Sequence, residues 1–228
     1  MDIALIGYGK MGHAIEEAAL AKGHRIACTV DNDEEWNAKK ETVGRADAAI
    51  EFTMPSTAAA NIVRCLELGV PVVCGTTGWY DKYDKVAERC RETNGALITA
   101  TNFSIGVNIM FAINEQLARL MKSHPEYSIY ISETHHKHKL DAPSGTAISL
   151  RDQIAEEYGN GVEIPIASYR EGEVPGTHTV RYHSDIDTIT LTHEAHSRKG
   201  LALGALMAAE WIQGRHGVFT MKDLLKQE

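Results

Sequence analysis

A chain of 228 residues has room for one large domain or two small ones. Hydrophobic residues at 43% and charged residues at 24% match a packed globular protein and exclude a disordered one. The formal charge of −8 argues against a nucleic-acid binder, so an anionic ligand must be drawn in by a local positive site. In chain order, Ile3–Ile6 reads as a strand, 11–22 as a helix stopped by Gly23, and 25–30 and 48–52 as two more strands. A helix over 56–68 ends before Gly69, followed by a strand over 70–74, a helix over 83–92 and a strand over 96–100. Nearly continuous apolar strands alternating with helices indicate a parallel sheet covered on both faces.

The pattern changes after Asn102-Phe103-Ser104. A long helix is expected over 107–122 and a strand over 127–133. A helix over 146–158 and strands over 162–170, 177–183 and 186–193 follow. In the last strand Ile189 and Leu191 alternate with Thr188, Thr190 and Thr192, which leaves one face polar or open to a partner. A helix over 200–213 ends at Gly214, and Thr220-Met221-Lys222-Asp223 is a capping-box start for a short terminal helix. The fold class is therefore α/β, an N-terminal parallel-sheet domain with a C-terminal α+β sheet domain.

Cys28, Cys65, Cys74 and Cys90 form no CxxC pair, and reduced, mostly buried thiols are expected. The N-terminus enters a strand at once, without a basic or apolar leader, and no apolar run reaches the ~18–20 residues of a membrane span. A cytoplasmic protein with no membrane partner is expected.

Gly7-Tyr8-Gly9-Lys10-Met11-Gly12 is GxGxxG between a strand and a helix. The first glycine makes the turn, the second admits the pyrophosphate, and the third lets helix and strand pack closely. The helix N-terminus then offers N–H groups to the phosphates. Asp31 follows at ~20 residues, where a carboxylate hydrogen-bonds a ribose 2′-hydroxyl; its plainer reading is a strand-end acid capping a turn. Asn32, Asp33, Glu34 and Glu35 follow with no arginine for a 2′-phosphate, so NADH is expected to be preferred over NADPH, although Lys39 and Lys40 are near in sequence. Gly75-Thr76-Thr77 and Ala100-Thr101-Asn102-Phe103 sit at carboxyl ends of the sheet, where the nicotinamide ring of such cofactors lies; as bare sequence each is also a plain turn.

Residues 133–147, Glu-Thr-His-His-Lys-His-Lys-Leu-Asp-Ala-Pro-Ser-Gly-Thr-Ala, carry His135, His136, Lys137, His138 and Lys139 ahead of a helix start. A solvated basic loop is the bland reading. A metal site lacks a second cluster at ligand spacing, so no metal is expected. Proton transfer beside an anion pocket fits best, because histidine titrates near neutrality and lysine supplies fixed charge. The amides of Gly145 and Thr146 at the helix tip suit a carboxylate.

On these motifs the chain resembles the 4-hydroxy-tetrahydrodipicolinate reductase (dihydrodipicolinate reductase) family of lysine and diaminopimelate synthesis. The resemblance rests on residues 133–147, TNFSIGVN at 101–108, GTTG at 75–78 and GYGKMG at 7–12. VPGTHTV at 174–180 and EAHSR at 194–198 extend it over almost the whole chain. It implies NAD(P)H-dependent reduction of a small dicarboxylate cyclic imine. Hydride goes to ring C4 and a proton to the neighbouring carbon. By the same resemblance His135 is the proton donor/acceptor, Lys139 the proton donor, His136 a substrate contact and Gly145-Thr146 the carboxylate-binding pair. Cofactor contacts map to Gly7–Gly12, Asp31, Gly75–Thr77 and Ala100–Phe103. The implied fold is an N-terminal Rossmann-type dinucleotide-binding domain, 1–104 with 199–228, and a C-terminal α+β sheet domain, 105–198, for substrate binding and assembly into a homotetramer.

Two departures matter. The glycine loop is one residue shorter than the family's commoner form, and the stretch from Asp31 to Ala48 is abbreviated. Competing readings are a neighbouring amino-acid or sugar dehydrogenase, whose catalytic lysine sits in other motifs, and a non-catalytic NADH sensor, which has no need of His135, Lys139 and Gly145-Thr146 together.

Overall fold

The computed structural model describes residues 1–159 and 161–226. They divide into two compact units, Met1–Ser104 together with the chain from Lys199 onward, and Ile105–Arg198. Gln227 and Glu228, the end of the expected 199–228 return, lie outside the described residues.

The first unit opens with β1 (Asp2–Ile6), α1 (Lys10–Ala21), β2 (Arg25–Val30), α2 (Asp33–Val43) and β3 (Ala48–Glu51). It continues with α3 (Pro55–Glu67), β4 (Val72–Cys74), a 3₁₀ turn at Tyr80–Lys82, α4 (Tyr83–Glu92) and β5 (Ala96–Thr99). The second unit holds α5 (Ile105–Met121), β6 (Ser128–His135), α6 (Gly145–Tyr158), β7 (Ile166–Arg170), β8 (Gly176–His183) and β9 (Thr188–Ala195). The chain then returns to the first unit as α7 (Lys199–Trp211), β10 (Gly217–Phe219) and α8 (Met221–Leu225).

Six parallel strands of the first unit run in the order β10-β5-β4-β3-β1-β2. Residues Ile3–Ile6, Ala48–Glu51, Val72–Cys74 and Ala96–Thr99 are buried throughout, as a sheet covered on both faces requires. The winding reverses between β1 and β3, which opens a crevice beyond their carboxyl ends. All four cysteines are free thiols, with Cys65, Cys74 and Cys90 buried.

The second unit is a four-stranded sheet in the order β7-β6-β8-β9, with β6 parallel to β7 and antiparallel to β8. Ile129 and Ile131 of β6, with Val180 and Tyr182 of β8, pack against Val107, Met110 and Phe111 of α5 and Leu150 and Ile154 of α6. The period of two then carries Glu133 and His135 onto the same covered face. Register pairs Glu133 with His178 of β8. One end of this sheet is thus an apolar core, and the other a buried polar cluster.

Several elements differ from expectation. His135 closes a strand rather than opening a loop, and β9 lies two residues later than predicted. Helix α2 and strand β10 were not anticipated. Among the described residues, no helix is long and apolar enough to cross a membrane.

Candidate active site

In the first unit the glycine loop joins β1 to α1. Gly7 has φ +93°, its N–H donates to the Val30 carbonyl at 2.7 Å, and a Cβ there would collide with the Phe52 carbonyl. Gly9 caps α1, and a Cβ at Gly12 would press on the Gly7 carbonyl. Lys10 and Met11 form the helix's first turn. The Tyr8 hydroxyl bonds Glu16, while its amide donates to Asp31 Oδ1 at 2.9 Å. Asp31 therefore braces the glycine loop as well as marking the end of β2.

A cavity of about 520 Å³ beyond these strand ends is lined by Gly9, Asp31, Asp33, Trp36, Thr53 and Arg64, among others. Trp36 comes from the unanticipated α2. Arg64, from α3, brings an arginine into the same cavity. Its guanidinium lies 5.5 Å over the Trp36 ring and 2.6 Å from Asp33 Oδ1. Lys39 is turned to the Thr29 carbonyl at 2.8 Å and Glu35 at 3.0 Å.

The other predicted segments end β4 and β5. A Cβ on Gly75 would strike the Phe52 ring. Thr76 is buried; its hydroxyl accepts from the Thr53 amide at 2.8 Å and its carbonyl from Trp79 Nε1 at 2.8 Å. Thr77 is exposed beside it. The Ala100 amide donates to the Cys74 carbonyl, Thr101 is exposed, and Asn102 Oδ1 accepts from the Ser104 amide at 2.8 Å. Phe103 is 1% exposed, and its side chain packs near Phe52. Its ring is a core group, so only its backbone could meet a ligand. Glycines where backbone must approach, a helix tip and a large cavity fit a dinucleotide.

In the second unit, His135 Nε2 lies 3.2 Å from His178 Nε2 and 3.3 Å from Glu133 Oε2. Ser144, the N-cap of α6, brings its hydroxyl within 3.2 Å of His178 Nε2, and its amide donates to Glu133 Oε1 at 3.0 Å. Glu133 thus ties the end of β6 to the head of α6. Glycine at 176 is needed because any Cβ would crowd the His135 ring.

Burial drives the His178 imidazole down to about 4, with neighbouring His135 adding to the effect. Burial also lowers His135, against the pull of the Glu133 carboxylate. For Glu133, burial pushes upward, but hydrogen bonds from Ser144 and Ser168 hold the carboxyl below its ordinary value. The cluster is a carboxylate facing two neutral imidazoles.

Lys139 lies in the following loop, its Nζ 2.7 and 2.9 Å from the Asp141 oxygens. Arg170 organises that loop by donating to the Asp141 carbonyl at 2.6 Å and the Lys139 carbonyl at 3.2 Å. His136 Nε2 is 3.3 Å from Arg198 Nη2. Gly145 and Thr146 form the first turn of α6, with open space where a Gly145 side chain would be. Glu133, Ser144, Arg170, His178 and Arg198 had no assigned role in the sequence reading; only the strand register reveals His178 as a neighbour of His135. Glu133, His135 and His178 also have the composition and spacing to hold a metal.

Residues 1–103 match the family model for the dihydrodipicolinate reductase N-terminus, and residues 106–225 that for its C-terminus. The chain belongs to the dihydrodipicolinate reductase family. It is 47% identical to a 4-hydroxy-tetrahydrodipicolinate reductase of Christiangramia forsetii, over 99% of this chain and 98% of that protein. A reductase of the same name from Neisseria gonorrhoeae is 32% identical over 92% of this chain and 81% of the other. Among solved structures, a dipicolinate-bound dihydrodipicolinate reductase from Paenisporosarcina sp. TG-14 superposes with TM-score 0.76 at 21% identity. That match covers 96% of this chain and 97% of the other.

Proposed function

We propose that this member of the dihydrodipicolinate reductase family reduces 4-hydroxy-tetrahydrodipicolinate to tetrahydrodipicolinate, with loss of water, in diaminopimelate and lysine synthesis. The observation that carries this reading is the strand–loop–helix of residues 133–147, which brings a buried His135, a tethered Lys139 and the tip of α6 into one segment of a family chain. A bound reduced nicotinamide dinucleotide, NADH or NADPH, supplies the hydride.

The chain's own residues bind, orient and move protons. Backbone at Gly7–Gly12 and the head of α1 hold the pyrophosphate, and Asp31 takes the ribose hydroxyls. Gly75–Thr77 and Ala100–Phe103 form the nicotinamide end. NADH is the preferred cofactor: Asp31 and Asp33 repel a 2′-phosphate, Lys39 is engaged elsewhere, and Arg64 already pairs with Asp33.

The amides of Gly145 and Thr146 grip one substrate carboxylate, and His136 with Arg198 forms a second polar contact. Lys139 Nζ gives the proton to the carbon beside the hydride acceptor, held in place by Asp141. His135 gives or takes a proton at Nε2, where Glu133 stabilises the imidazolium once it forms. The second unit's uncovered sheet face, where Tyr130 and Tyr169 are exposed, supports a homotetramer. The setting is cytoplasmic.

A coupled assay tests this function. Aspartate semialdehyde, pyruvate and the upstream synthase form the substrate in place, and loss of reduced-nicotinamide absorbance is followed. Turnover that depends on every component supports the reading; no turnover with either cofactor refutes it.

A further inference from the structure

We propose that Glu133, His135 and His178 bind a divalent transition metal of the zinc class, and that metal held there inhibits the enzyme by occupying His135 Nε2. The inhibition rests on the proton-handling role given to His135 above; the binding does not.

Geometry carries the proposal. The three donor atoms, His135 Nε2, His178 Nε2 and Glu133 Oε2, are separated by 3.2, 3.3 and 3.7 Å. Donors about 2.0–2.1 Å from a tetrahedral zinc stand about 3.3 Å from one another. The trio therefore spans one face of such a tetrahedron with little movement.

A second observation points to a cation independently of the spacing. Glu133 is 1% exposed, and its Oε2 is buried with no hydrogen-bond partner. Its other oxygen takes the Ser144 amide and lies 3.4 Å from Arg170, and Ser168 also bonds the carboxylate. Buried carboxylate oxygens are normally satisfied, yet this one is aimed at two imidazole nitrogens. Metal ligation would satisfy it.

Support behind the ligands is partial. The His135 ring is hydrogen-bonded to the Pro175 carbonyl, the kind of outer contact that orients a metal-bound histidine. His178 must carry its proton on Nδ1 when Nε2 binds metal, and that nitrogen is buried without an acceptor. One carboxylate also offsets only half of a divalent charge, with Arg170 nearby. These costs make the site reversible and inhibitory, unlike a structural zinc site that builds the fold.

The test uses the full chain in chelator-free buffer, with cobalt(II) as the spectroscopic probe and zinc(II) as the inhibitor. Cobalt should give the visible absorption of a four-coordinate ion, zinc should displace it and suppress turnover, and a chelator should restore turnover. His178→Gln should abolish the colour and raise the zinc concentration for half-inhibition about tenfold or more. His138→Gln, on the exposed loop, should change neither. Should His178→Gln fail to fold, cobalt X-ray absorption on the unaltered chain should report two imidazoles on the metal. Absence of colour, absence of imidazole ligands, or colour surviving in a folded His178→Gln chain would each overturn the site. Colour formed with turnover unaffected would overturn the inhibition and, separately, the role of His135.

Discussion

The Nε2 atoms of His135 and His178 stand 3.2 Å apart in a buried pocket, a distance at which one nitrogen must carry a hydrogen and the other must not. That contact fixes the orientation of the His135 ring. His178→Leu should remove it, and turnover should fall by ~10–10², the cost of a small misplacement at a reacting group. Cofactor affinity, read by quenching of nicotinamide fluorescence, should stay the same. Unchanged turnover would show that His178 only fills space.

Cofactor choice is tested at two residues of one cavity. Asp31→Ser loses both the ribose acceptor and the brace on the Tyr8 amide. The Michaelis constant for NADH should rise about tenfold or more, the worth of a hydrogen bond to a charged group. Arg64→Ala should leave the preference for NADH in place, because Arg64 is already held by Asp33. An unaltered chain that favours NADPH tenfold would reverse the assignment.

Packing of the returning helix α7 against the first unit leaves no room at Gly204, where a Cβ would meet the Phe103 carbonyl. Gly204→Ala should destabilise by about 1–3 kcal/mol through overpacking. The melting temperature should drop by about 2–4 °C for each kcal/mol. A melting curve superimposable on the unaltered one would rule this packing out.

The same helix is tied to the N-terminal region by Glu210, whose carboxylate meets His24 at 2.8 Å and Lys22 at 3.1 Å. Burial pushes Glu210 upward, but hydrogen bonds from His24 and then Lys22 bring it below its ordinary value. A carboxyl lowered in the folded state stabilises fully above its unfolded value, about 4.3. That contribution fades as pH falls through the folded value. The melting-temperature gap between the unaltered chain and Glu210→Gln should therefore narrow in acid. A gap that widens in acid would contradict the assignment.

The parallel sheet was legible because its strands are nearly unbroken apolar runs bounded by glycine. Helix α2 was not, because only Trp36 and Val43 of its eleven residues are buried, too few to show a period. Strand β10 spans just three residues, each only partly buried. At the site, the 133–147 segment announced itself by composition. His178 stayed hidden for a different reason: it reaches His135 only through the β6–β8 register, 43 positions along the chain. Arg64 also reaches the cavity beside Asp31 from a distance, from the helix after the third strand.

Turnover of the His135→Gln/Lys139→Ala double variant in the coupled assay, with NADH binding measured on the same sample, tests the proton-transfer assignment most directly. Turnover should fall by at least ~10²–10⁴, the usual worth of a positioned acid or base, while NADH binds as before. Near-normal turnover in a folded double variant would contradict it.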